Sequence, residues 1–121
     1  MARAWFEMRT KRYKPTAAGT TPLYKIAKGQ VVRGVYARVD VARVAGTSVE
    51  VGDAADPDGY FAEATLASTV TGRKVGKGAY LTEEGGKVYD TATAVNAVLT
   101  GTPTTMPDIV FEILILNTSL K

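Results

Sequence analysis

Two residue types are missing from these 121 residues: cysteine and histidine. Without cysteine there is no disulfide to brace a small core and no thiolate to hold a metal. With histidine gone as well, the commonest general bases, nucleophiles and metal ligands are absent. Ser48, Ser68 and Ser119 remain, none in a Gly-x-Ser-x-Gly setting. The chain therefore reads as a protein that binds and assembles, not as an enzyme, and no cofactor is expected. No apolar run approaches the roughly 18 residues that a bilayer-crossing helix needs, so no membrane partner is expected. The start, Met1 to Glu7, carries no apolar segment and does not read as a signal peptide, and the lack of cysteine fits synthesis in the cytoplasm. Helical periodicity over ten or so residues is missing too.

Charge is present but unevenly spread. Residues 1–43 carry ten basic and two acidic side chains, a net of +8, whereas residues 44–121 carry five basic and ten acidic ones, a net of −5. Such polarity suits electrostatic docking on an acidic surface or on another copy of the chain.

Alternating apolar residues and glycine or proline turns supply the rest. Residues 3–9 alternate weakly, with Ala4, Phe6 and Met8 against Arg3, Glu7 and Arg9, and read as an edge strand or an arm. Residues 11–22, KRYKPTAAGTTP, have the composition of an extended linker. The expected division is a basic N-terminal arm over 1–22 and a β-sandwich or jelly-roll domain over 23–121. Leu23–Ala27 is a short strand. Residues 30–44 form the clearest one, with Val31, Val35, Ala37, Val39 and Val41 on one parity, interrupted by Arg33. Ser48–Gly52 follows a turn at 45–47 and is expected to pair with it as a hairpin. Residues 53–60 are a loop, 61–68 are undecided, and 71–78 are a basic glycine-rich loop. Residues 79–82 and 87–90 flank a hairpin turn at 83–86. Residues 94–100 form a further strand and 101–107 a loop. Residues 109–117, IVFEILILN, are apolar on both faces. A strand of that kind must be central in its sheet and covered twice, the second cover coming from another subunit or from the arm.

Three features invite a sharper reading. Asp53, Asp56 and Asp58, closed by Gly59, are a candidate oxygen-ligand site for Ca²⁺; the bland and preferred alternative is a turn whose aspartates cap backbone N–H groups. Gly72-x-x-x-Gly76-Lys77 is one residue short of a phosphate-loop spacing, and Gly78 stands where a Mg²⁺-holding hydroxyl belongs, so a solvated loop is preferred. The basic segment with Arg3, Arg9, Lys11, Arg12 and Lys14 interleaves Tyr13, a composition that suits nucleic acid or an acidic protein. No RRM, zinc or helix-turn-helix signature accompanies it, so a protein partner is preferred.

Val35–Asp40, Val49–Asp53, Asp56-Pro-Asp-Gly-Tyr60, Gly78–Leu81, Lys87-Val-Tyr89, Ala94–Thr100 and Ile109–Leu116 together resemble small virion structural proteins of tailed bacteriophages. The resemblance covers roughly residues 23–117 and brings no catalytic residue with it. It implies a capsid cement or decoration protein, made in the host cytoplasm and placed on the outer capsid surface. The implied partners are the major capsid protein and further copies of the chain, as a homotrimer. The basic residues of 1–22, with Leu114 and Leu116, are the expected contacts. A neck, tail or fibre component is the alternative within the virion; a nucleic-acid- or carbohydrate-binding module is the alternative outside it.

Overall fold

The computed structural model describes residues 3–41, 48–62, 72–82, 86–101 and 107–119. These residues form eight strands and one helical turn: β1 (Arg3–Tyr13), β2 (Gly19–Ile26), β3 (Val31–Val41), β4 (Ser48–Gly52), β5 (Gly72–Val75), α1 (Ala79–Thr82), β6 (Lys87–Val88), β7 (Thr93–Thr100) and β8 (Asp108–Ser119). The larger sheet has the order β1-β8-β3-β5, with β6 also paired to β3; the smaller has the order β2-β7-β4. Every pairing is antiparallel. The chain is an all-β sandwich, as expected.

The two-faced strand is central, held between β1 and β3. Its inner face, Ile109, Phe111, Ile113 and Ile115, is at most 2% exposed and fills the middle of the core. Val49 and Val51 of β4 and Val95, Ala97 and Leu99 of β7 close that core from the opposite sheet. Period-two alternation explains this directly: each strand turns every second side chain inward. The Tyr24 hydroxyl of β2 crosses the layer and donates to the Phe111 carbonyl at 2.7 Å, tying the sheets together.

Several expectations change. The expected extended arm over 1–22 is mostly sheet. β1 pairs with β8 residue for residue from Arg3↔Ser119 to Tyr13↔Ile109. β2 then runs through the expected boundary at 22/23, with a register shift between Pro22 and Tyr24. Pro22 is tolerated there because β2 is an edge strand. The linker-like composition misled because charged residues on an edge strand mimic a solvated segment.

β3 and β4 are not a hairpin. β3 pairs with β8, β5 and β6, whereas β4 pairs with β7 in the other sheet. Alternation fixes which face of a strand is buried but not which strand lies beside it. In β3 a register shift between Val32 and Gly34 moves the parity, so Val32 is buried and Val31 belongs with the outer face. That bulge is the interruption seen at Arg33. Gly72–Val75, read as loop, is β5, and Ala79–Thr82, read as strand, is the helical turn. The turn at 45–47 and most of the segments 61–68, 83–86 and 101–107 lie outside the described residues.

Candidate docking surface

The acidic turn serves the fold. Asp53, at the end of β4, is 4% exposed. Its Oδ1 accepts from the Ala55 and Asp56 backbone N–H groups at 3.0 and 2.8 Å and from the Tyr80 hydroxyl at 3.0 Å. Its Oδ2 accepts from the Tyr89 hydroxyl at 2.8 Å. Tyr60 lies 2.7 Å from that same hydroxyl. A phenol has one proton, so with Tyr89 donating to Asp53, Tyr60 donates to Tyr89. Burial, then the Tyr60 hydroxyl and the Asp53 carboxylate, push the Tyr89 phenol far above its ordinary range. Tyr80 packs edge-on against Tyr60, and a Cβ at Gly59 would strike the Tyr80 ring, so only glycine fits. Asp56 has a different partner: its side-chain hydrogen bond to Asp58, followed by burial and the Asp58 charge, raises its carboxyl above the usual range. Asp56 and Asp58 meet each other while the Asp53 carboxylate is taken by the tyrosines, and among the described residues no three acidic side chains converge on a cation position.

The remaining apolar surface gathers on the outside of the larger sheet. Residues directly opposite one another in antiparallel strands share a face. Phe6 faces Leu116, and Met8 faces Leu114, across β1 and β8. Leu116 in turn faces Val31 of β3, which faces Val88 of β6; Tyr36 faces Val75 of β5. Leu114 and Leu116 are half-buried, while Phe6, Met8, Val75 and Val88 are 59, 48, 53 and 55% exposed. No described segment covers this face; β1 lies beside β8 instead of over it. A hollow of about 290 Å³ opens on it among Met8, Tyr36, Arg38, Arg73, Val75 and Glu112.

The basic residues divide. Arg9 reaches Glu7 at 3.0 Å and the Lys25 carbonyl at 3.2 Å. Asn117, and after it Arg9, holds the Glu7 carboxyl below its usual range. Arg12 bridges Asp40 and Asp108 at 3.5 and 3.4 Å, while Arg38 also pairs with Asp40. Lys11 and Lys14 are exposed, and no described acidic group pairs with either. Arg3 lies at the start of β1. The expected contact set is therefore only partly together: Leu114 and Leu116 sit in one patch, Arg9 and Arg12 are engaged within the chain, and Lys11 and Lys14 project into solvent. Sequence reasoning missed Phe6, Met8, Val31, Val75 and Val88 as part of the patch. The weak alternation over residues 3–9 was the available signal for the first two.

No family model matches the chain, and no curated protein matches its sequence. Solved structures do match its fold. A chain from the acid-stable capsid of Helicobacter pylori bacteriophage KHP30 superposes with a TM-score of 0.70 at 13% identity, covering 100% of both chains. A chain from the capsid asymmetric unit of cyanophage Pam1 gives 0.61 at 16% identity, over 96% of this chain and 84% of that one. A chain from the capsid of Ralstonia phage GP4 gives 0.63 at 16% identity, over 100% and 86%. The chain shares, over essentially its whole length, the fold of proteins built into these phage capsids.

Proposed function

We propose that this chain is a structural protein of a tailed-phage virion, a cement or decoration protein on the outer surface of the assembled head. The single observation that carries the reading is the uncovered apolar face around Phe6, Met8, Leu114 and Leu116 in a fold shared with capsid chains. A face of that kind on a small chain marks a protein contact. The capsid chains it matches are covered over 84 to 100% of their length, which favours a small, separate capsid component. Successive strands β1 to β4 alternate between the sheets, which supports a jelly-roll description.

In this reading the apolar face is buried against neighbouring subunits, with copies of the chain meeting as a homotrimer. Lys11 and Lys14 add electrostatic attraction to acidic major capsid protein. The site spans several capsid subunits, so many weak contacts give strong net attachment. Co-sedimentation tests this. The purified chain binds assembled heads depleted of it and does not bind isolated capsid subunits; equal binding to both, or to neither, refutes the bridging role. A neck or tail component is the second reading. It is favoured if the chain fractionates with tails.

A further inference from the structure

We infer that the free edge of β1 is a second contact surface, and that its partner is β1 of another copy, paired antiparallel about Met8. Three observations carry this, and none depends on the capsid reading.

First, the edge is long and open. β1 spans eleven residues and ends the larger sheet, with β8 on one side and no described strand on the other. The Tyr24 hydroxyl lies within hydrogen-bond reach of both the Arg9 and Phe111 carbonyls, at 3.2 and 2.7 Å. Both carbonyls therefore point into the space between β1 and β8. Main-chain groups of alternate residues in an antiparallel strand point to opposite sides. The outer edge is thus presented by the even-numbered residues, Met8 at the centre.

Second, the apolar exposure concentrates there. Trp5, Phe6 and Met8, which are 51, 59 and 48% exposed, all lie on this edge strand.

Third, the charges are self-complementary in one register. Inward-pointing charge on an edge strand ordinarily guards against pairing, because like meets like. Here the order Trp5, Glu7, Arg9, Lys11 reverses that outcome. Pairing about Met8 places each Glu7 opposite the partner copy's position 9, an arginine. It places each Trp5 opposite position 11, a lysine suited to the indole face. All positions from 3 to 13 are then paired. Shifting the centre to Glu7 opposes two carboxylates, and shifting it to Arg9 opposes two guanidinium groups and shortens the overlap. Opposite charges facing each other across strands are favourable, and like charges are not. On the outer face the same register carries the Leu114–Met8 row through the two-fold axis into the second copy. The two larger sheets become one.

The absence of cysteine provides the test. In Met8→Cys each full-length chain carries one thiol, and the pairing sets the two thiols face to face. A short thiol-bridging reagent, dibromobimane, is expected to convert this variant largely to covalent dimer. Val88→Cys, equally exposed but far from the β1 edge, is expected to give at least tenfold less. Glu7→Arg and Arg9→Glu are then each combined with Met8→Cys. Either variant alone opposes like charges and is expected to lose the cross-link at least tenfold. An equimolar mixture restores it, because position 7 of one variant meets position 9 of the other with opposite sign. The intrachain Glu7–Arg9 pair cannot produce that restoration. Met8→Cys linking no better than Val88→Cys overturns the inference. So does a mixture of folded charge variants that fails to recover.

Discussion

Met8 and Leu114 lie directly opposite one another on the outer side of β1 and β8, on the reverse of the face through which β8 fills the core. Neither is needed to close the core, and Met8 remains 48% exposed. Their row, with Phe6 and Leu116 beside it, is where folding leaves apolar area for association.

Leu114→Asp and Leu116→Asp therefore separate binding from folding. Both positions are half-buried on the outer face, so the cost to stability is expected to stay near 1 kcal/mol. Binding to depleted heads is expected to fall at least tenfold, or about 1.4 kcal/mol. Val98→Asp, on the outer side of the smaller sheet, serves as the control and leaves binding unchanged. Thermal melts and co-sedimentation, run side by side, check both halves.

The Asp53 hub is a stability element. Removing the Tyr89 hydroxyl in Tyr89→Phe takes a donor from Asp53 Oδ2 and a partner from Tyr60, at an expected cost of about 1–3 kcal/mol by urea unfolding. With its carboxylate turned to the tyrosines, the turn is expected to show no micromolar Ca²⁺ isotherm by calorimetry after chelator treatment. A clear isotherm, lost in Asp56→Asn, contradicts this reading.

Tyr13 is 1% exposed, and its hydroxyl has no hydrogen-bond partner among the described residues. Tyr13→Phe removes a desolvated polar atom and keeps the ring contact with Phe111, 5.9 Å between centroids. Stability is expected to hold or to rise by up to about 1 kcal/mol. Burial also pushes the Tyr13 phenol from 10.0 up to about 12. A raised pKa in the folded state gives stability that is complete below 10 and is lost as pH climbs through 12. Tyr13→Phe should flatten that alkaline decline, as read from melts between neutral pH and 12.

Glu7 works in the opposite direction. Asn117 and Arg9 lower its pKa below 4.5, so its contribution is present above that value and disappears as pH falls further. Its side chain is 37% exposed, and solvent screening keeps the contribution below about 1 kcal/mol. Asp56, raised by Asp58, has the contrary sign: its folded form prefers the proton, and its repulsion eases in acid. Glu7→Gln should make the acid limb of the stability curve slightly shallower, and Asp56→Asn slightly steeper.

Much of the architecture was legible in local pattern. Ile109, Phe111, Ile113 and Ile115 declared a buried face, and Val110, Leu114 and Leu116 a second, half-buried one. β4 and β7 declared themselves in the same way. Pairing was not legible, because β3 and β4 carry equivalent valine alternation and yet belong to different sheets. β1 was obscured by Glu7, Arg9 and Lys11 on its inner parity, where the strand reaches the sandwich rim and charge meets solvent. Its place in the sheet changes the expectation for deletion. Removing residues 1–14 strips β8 of a partner along eleven positions, so aggregation is expected instead of a folded core. The tyrosine hub was invisible because Asp53, Tyr60, Tyr80 and Tyr89 are spread over 37 residues and meet only in the fold.

The central claim is that the chain stabilises an assembled shell by binding it. A ligand that binds the intact shell and not its dissociated subunits adds about 2.7 kcal/mol per site when free protein reaches roughly a hundred times its dissociation constant. The direct measurement is the temperature at which heads release DNA, compared among complete particles, particles lacking this protein, and depleted particles given the purified chain. Depleted particles are predicted to keep normal shape but release DNA at a lower temperature, and added wild-type protein is predicted to restore it. Leu114→Asp is predicted not to. Depleted particles that are fully heat-stable but tailless or unable to adsorb would contradict the cement account and assign the chain to the neck or tail.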